Sequence, residues 1–155
     1  MTEAKIARAL WNKWGRGADI VARNIKMYPF ESDVLMLRHS GYLTEYEIKL
    51  SVSDFNADSK KSYGVTSTSK YDWLQSGKGP NRFCYVMHEQ MMQKVDIPSW
   101  AGLITFWENV SLDQLSHTIL TIRKPAKLLH KRISDDTVRE QMMICMYYKY
   151  WNNLK

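Results

Sequence analysis

Between Asp33 and Leu50 the chain reads DVLMLRHSGYLTEYEIKL, two β-compatible runs on either side of a glycine turn. Val34 to Leu37 is an unbroken apolar run. In the second run Tyr46, Ile48 and Leu50 alternate with Glu45, Glu47 and Lys49. A period of two sends alternate side chains to opposite faces of a strand. Gly41 in the HSG turn lets the chain fold back, so the segment reads as a β-hairpin. The polar face of its second strand is either hydrated or chemical.

Elements of both kinds surround the hairpin. Residues 3 to 14 have Ala7, Leu10, Trp11 and Trp14 at helical spacing, and GRG at 15–17 ends that helix. Ile20 to Met27 is β-compatible and is closed by Pro29. After the hairpin, Ser51 or Ser53 can cap a short helix that turns Phe55 inward and leaves Asp54, Asp58, Lys60 and Lys61 polar. Ser69 to Gln75 is a helix or a loop, ended by Gly77. NRFCYVM (81–87), AGLITFW (101–107) and HTILTIRK (117–124) read as further strands. The tail carries a capping box at Thr137 and Glu140 and a helix over about 135–153 that is apolar on most faces. Such a helix belongs either deep in a core or against another subunit. Together these elements predict one α/β domain over 1–155, built on one central mixed sheet flanked by helices.

Composition narrows the class. With 45% hydrophobic and 25% charged residues the chain is of the globular type. No apolar run reaches membrane-span length, and the N-terminus lacks the apolar core of a secretory signal, so a cytoplasmic protein with no membrane partner is expected. Cys84 and Cys145 stand far apart and read as reduced thiols. A net charge of +6 is compatible with a polyanionic partner or with plain solubility.

Glu47 and Lys49, two apart on one strand, project from the same face. Asp33, on the partner strand, can be brought beside them. Two carboxylates converging with a lysine can hold a hard cation such as Mg²⁺ (or Mn²⁺), with the Ile48 backbone carbonyl as a further oxygen donor. The cation polarises a phosphate and acidifies water, while the lysine offsets developing charge. As a bare pattern Glu-x-Lys also suits a wet strand face.

The order of elements, with the acids opening one strand and centring the next, is the α-β-β-β-α-β order of the PD-(D/E)XK nucleases. ESDVLMLRHSGYLTEYEIKLSVSDFNADSKKSYG resembles the core of the MmcB-like group of that superfamily, and PNRFCYVM, IPSWAGLITF and RKPAKLLHKR are similar to strings in its phage and bacterial relatives. The resemblance runs from about Asn24 to Arg132. It implies a restriction-endonuclease-like fold and a Mg²⁺-dependent deoxyribonuclease in DNA processing or repair, possible in a phage setting. On this resemblance Asp33 and Glu47 are the acids and Lys49 the lysine of the motif. The glutamate that many members add from the first helix has only Glu3 to match it, and Glu31 is a substitute.

Ser51 reads as a helix cap with a possible phosphate contact, and Glu45 as a solvent-side neighbour. Asp54 and Asp58 are accounted for by capping and intrahelical pairing. Lys60, Lys61, Lys70, Arg82, Lys124 and Lys127 are candidates for a groove along the DNA backbone. The four histidines are scattered and lack zinc spacing. Two other functions remain open: a DNA-binding module of the same fold that does not cut, and an interaction protein that forms a homodimer through the C-terminal helix.

Overall fold

A computed structural model describes residues 1–64, 67–110 and 116–152, with backbone alone at Val110 and Ser116. Thr2 opens helix α1 (Glu3–Trp14), its hydroxyl accepting from the Lys5 N–H. Ile6, Ala7 and Leu10 form the buried stripe. That stripe centres on Ile6 and Leu10, one position round from the spacing read in the sequence, so Trp11 falls off its edge into water.

A 3-10 turn at Gly15–Gly17 leads into β1 (Ala18–Ile25), β2 (Ser32–Arg38) and β3 (Leu43–Lys49), paired antiparallel in sequence order. At the β2–β3 turn Gly41 has φ +77°, and a Cβ there would strike Ile133, so only glycine fits. Next come α2 (Val52–Asp58), a ribbon of β4 (Ser62–Tyr63) and β5 (Thr68–Ser69), and α3 (Lys70–Gln75). Strand β6 (Arg82–His88) returns parallel to β3, and a 3-10 stretch at Glu89–Lys94 follows it. Then β7 (Gly102–Val110) pairs parallel to β6, and β8 (Ser116–Lys124) antiparallel to β7. The main sheet is six-stranded and mixed, ordered β1-β2-β3-β6-β7-β8. The expected α/β architecture with a central mixed sheet is therefore present.

Helices cover both faces. Val34, Met36, Tyr46, Ile48, Val86 and Phe106 pack against α1. On the other face Phe55 of α2 and Trp73 and Leu74 of α3 pack with Phe83, Tyr85 and Met87 of β6. Further along that face α4 (Asp136–Asn152) lays Met142 on Ala22, Leu35 and Leu37. The α4 cap is Asp135, whose carboxylate accepts from the Val138 N–H at 3.1 Å, two residues before the expected capping box. Residue 153, the expected helix end, lies outside the described residues. Because both faces are covered, every residue of β3 is buried. Its Glu45, Glu47 and Lys49 are therefore not a wet edge.

Candidate functional site

The site grows from the end of the β2–β3 pairing. The last paired residues are Val34 and Tyr46, and continuing that register by one sets Asp33 opposite Glu47. Residues directly opposite on antiparallel strands share a face. Here the ladder stops, and the Asp33 side chain replaces it: Oδ2 accepts from the Ile48 N–H at 2.7 Å. In a strand the carbonyl of a residue points to the same side as its amide. The Ile48 carbonyl therefore faces the Asp33 side of β3.

Lys49 Nζ donates to Glu47 Oε1 at 2.8 Å, both side chains being 2% exposed. The sequence-expected Asp33, Glu47 and Lys49 thus gather at one end of β3. Burial raises the Asp33 carboxyl to about 7, and repulsion from Glu47 adds to it. The charge of Glu3, in the first turn of α1, acts on Asp33 in the same direction. Glu31 stays exposed ahead of β2, and Ser51 is exposed as the cap of α2, its Oγ accepting from the Asp54 N–H at 3.1 Å.

Six further side chains complete the cluster. Asp58, expected to be a polar helix-surface residue, is fully buried. The periodicity that turns Phe55 inward turns Asp58 inward as well, three residues on. Its Oδ1 meets Lys61 at 2.8 Å, Lys49 at 3.2 Å and Lys70 at 3.4 Å. Its Oδ2 accepts from the Tyr85 hydroxyl at 2.9 Å, and Tyr85 and Tyr71 share a hydroxyl bond of 2.8 Å. Lys70, expected to face DNA, is likewise fully buried, because it opens α3 on the same helical face as Trp73 and Leu74. Glu45, expected at the solvent side, is buried beneath α3.

These charges are balanced by contact. Burial alone would raise Asp58, but Lys70, Lys49 and Lys61 overcome it and hold the carboxyl well below the usual range. Burial would lower Lys70, and Glu45, Glu47 and Asp58 instead drive it up. Glu45 is pushed up to about 7 by burial against the pull of Lys70. Lys70 Nζ stands 2.9 Å from Glu47 Oε2 and 3.7 Å from Glu45 Oε1, an ion pair with each. Among the described residues those two buried oxygens have no contact beyond such ion pairs that counts as a hydrogen bond. Lys61 reaches Glu47 Oε1 at 3.2 Å and is 44% exposed, so it links the cluster to solvent.

The donor set suits a hard divalent cation at one place. Asp33 and Glu47 are mutually repelling carboxylates and the Ile48 carbonyl faces the same side, while both Glu47 oxygens are ion-paired to lysines that a cation would have to displace. Among the described residues no group of three or more His, Cys, Asp or Glu side chains is placed to hold a metal ion. Any such ion would rest on two acids and backbone.

The basic residues do not form one groove. Lys60 and Lys61 are exposed beside the cluster. Arg82 and Lys124 lie on the opposite, α1-covered face, lining a depression with Trp14, Arg38 and Tyr46. Arg82 sits over the Tyr42 ring, Lys124 donates to the Pro98 carbonyl at 2.7 Å, and Lys127 is exposed in the segment after β8. Alternation along β6 dictates the separation: Arg82 pairs with Thr44, on the other face from Glu45 and Glu47.

No family model matches the chain, and no curated protein matches it. Among solved structures the fold is similar to the SPO1766 protein of unknown function from Silicibacter pomeroyi, with a TM-score of 0.64 and 15% identity over 99% of this chain and 89% of that one. At that identity the likeness is one of fold. Among the described residues no helix is long and apolar enough to cross a membrane.

Proposed function

We propose that the chain is a Mg²⁺-dependent deoxyribonuclease of the PD-(D/E)XK type, acting in the cytoplasm on DNA phosphodiester bonds during DNA processing or repair. One observation carries this reading: the Asp33 carboxyl, held on the Ile48 amide, faces Glu47 at the point where β2 and β3 part, with Lys49 on Glu47. Asp33, Glu47 and the Ile48 carbonyl would hold Mg²⁺ or Mn²⁺, which supplies Lewis-acid polarisation of a phosphoryl oxygen and a more acidic water. Lys49, fixed by Glu47 and Asp58, offsets charge developing on the phosphate. Lys61 and Lys60, at the solvent side, draw the phosphate backbone toward the acids.

A second reading has its own support. Glu47 is already neutralised by Lys49, Lys61 and Lys70, which suits a non-cleaving DNA-binding module of the same fold. Cleavage assays on single-stranded, duplex and branched DNA with Mg²⁺ or Mn²⁺ distinguish the two. The nuclease reading expects cleavage that Asp33→Asn abolishes in a folded protein. Binding without cleavage under every metal condition supports the second reading and overturns the first. Asp33 is the better position to change, since Lys49→Ala would strip a buried ammonium from Glu47 and Asp58 and confuse activity with folding.

A further inference from the structure

A helix packed on a sheet by one face normally turns charge to water on the other. α4 does not. Met142, Val138 and Cys145 lie against β1 and β2, and Lys149 reaches back to the Arg23 and Asn24 carbonyls at 3.2 and 2.8 Å. Positions three, four and seven residues apart carry Met143, Ile144, Tyr147 and Trp151 on the opposite side, with Tyr148 and Tyr150 flanking them. Tyr147 and Met143 are each 59% exposed, and Tyr147 meets Trp151 edge-on at 5.8 Å. From Met142 to Trp151 the only charge is Lys149, and it is turned back to the sheet.

We propose that this face pairs with the same face of a second copy, forming an antiparallel α4–α4 dimer about a twofold axis near Tyr147. Area favours that occupant. At about 150–250 Å² per large aromatic side chain, the apolar residues of α4 leave roughly 700 Å² in water, close to the ~800 Å² that each partner contributes to a standard interface. An exposed patch of that size is at the upper limit for a monomer. The spacing favours it too. Ile144, Tyr147 and Trp151 follow the four-and-three step of a helix–helix seam. A twofold axis at Tyr147 sets Met143 and Ile144 of one copy beside Trp151 of the other, and each contact occurs twice. Antiparallel alignment also opposes the helix dipoles.

Sedimentation of the intact 18.2 kDa chain over a concentration series tests this. The expected result is a reversible dimer whose dissociation constant rises more than about 100-fold in Met143→Glu/Tyr147→Glu. A monomer at every concentration overturns the proposal. So does a dimer that the double variant leaves unchanged, or a monomer that instead co-sediments with vesicles of phosphatidylcholine and phosphatidylglycerol. Should the double variant unfold, Tyr147→Cys in a Cys145→Ala background decides. Mild oxidation is expected to link two copies through the new thiol and not through Asn12→Cys on α1, and absence of that link overturns the pairing.

Discussion

Asp33 Oδ2 receives the Ile48 N–H at 2.7 Å, a side chain standing where the next rung of the β2–β3 ladder would be. That single bond aims a half-buried acid at the Glu47 carboxylate. Burial beside Glu47 outweighs the help of that bond, and the cost in folding stability is measurable. The carboxyl rises from the usual aspartate range near 4 to about 7 in the fold. Between those values the folded chain binds more protons than the unfolded one, so stability from this group falls as pH rises from about 4 to 7 and stays lost above 7. Asn at this position keeps an acceptor for Ile48 and carries no charge.

Asp33→Asn is therefore expected to stabilise the metal-free protein above pH 7, by about 1–2 kcal/mol, with the advantage shrinking to nothing near pH 4. Urea unfolding at pH 4.5 and 8.5 checks it. An acid that is worse for folding than its amide is one that folding alone does not require.

A divalent ion between Asp33 and Glu47 would reverse that penalty. At pH 7, where the Asp33 carboxyl is half protonated, binding expels its proton. Calorimetry in buffers of different ionisation heat is expected to show a fraction of a proton released per Mg²⁺ or Mn²⁺ near neutrality and almost none at pH 9. The melting temperature should rise with added metal, and both effects should vanish in Asp33→Asn. No heat and no thermal shift at millimolar metal would remove the ion from the site.

The buried half of the cluster answers to different physics. Lys70 is fully buried against Glu47, Asp58 and Glu45, so Lys70→Ala leaves carboxylates without their counter-charge and is expected to cost about 3–5 kcal/mol. Lys61 touches the same acids from water, and Lys61→Ala should cost less than about 1 kcal/mol. Chemical denaturation of the two variants separates these values well beyond their error.

The hairpin and its acids were legible because strand alternation and a glycine turn are local signals: Asp33, Glu47 and Lys49 fall together once two short runs are paired. Asp58 and Lys70 read as surface residues for the opposite reason. Their helices are only seven and six residues long, too short for charge at an inward position to stand out against charge at an outward one. Phe55, three before Asp58, and Trp73, three after Lys70, already marked the inward faces. Glu45 reads as solvent-facing because alternation gives a strand two faces and does not say whether both are covered. That depends on α2 and α3 crossing above β3, a tertiary fact. The apolar character of α4 was plain in the sequence, yet only the placement of Met142 on β1 and β2 decides which of its sides remains in water.

The division of basic residues between the two faces leads to the final expectation. A lysine that neutralises a DNA phosphate releases about one condensed counterion, so removing it lowers the salt dependence of binding by about one unit of slope. Lys60 is exposed next to Lys61, at the solvent end of the acid cluster. Lys60→Ala should therefore reduce the slope of log affinity against log salt by about one. Arg82 lies over Tyr42 on the α1-covered face, behind the sheet from Glu47, and Arg82→Ala should leave the slope unchanged. Fluorescence anisotropy of labelled DNA over a salt series, with Ca²⁺ replacing Mg²⁺ to hold off cleavage, measures both. Equal losses in the two variants would mean that DNA does not approach from the side of the acids, and the proposed chemistry would lose its substrate.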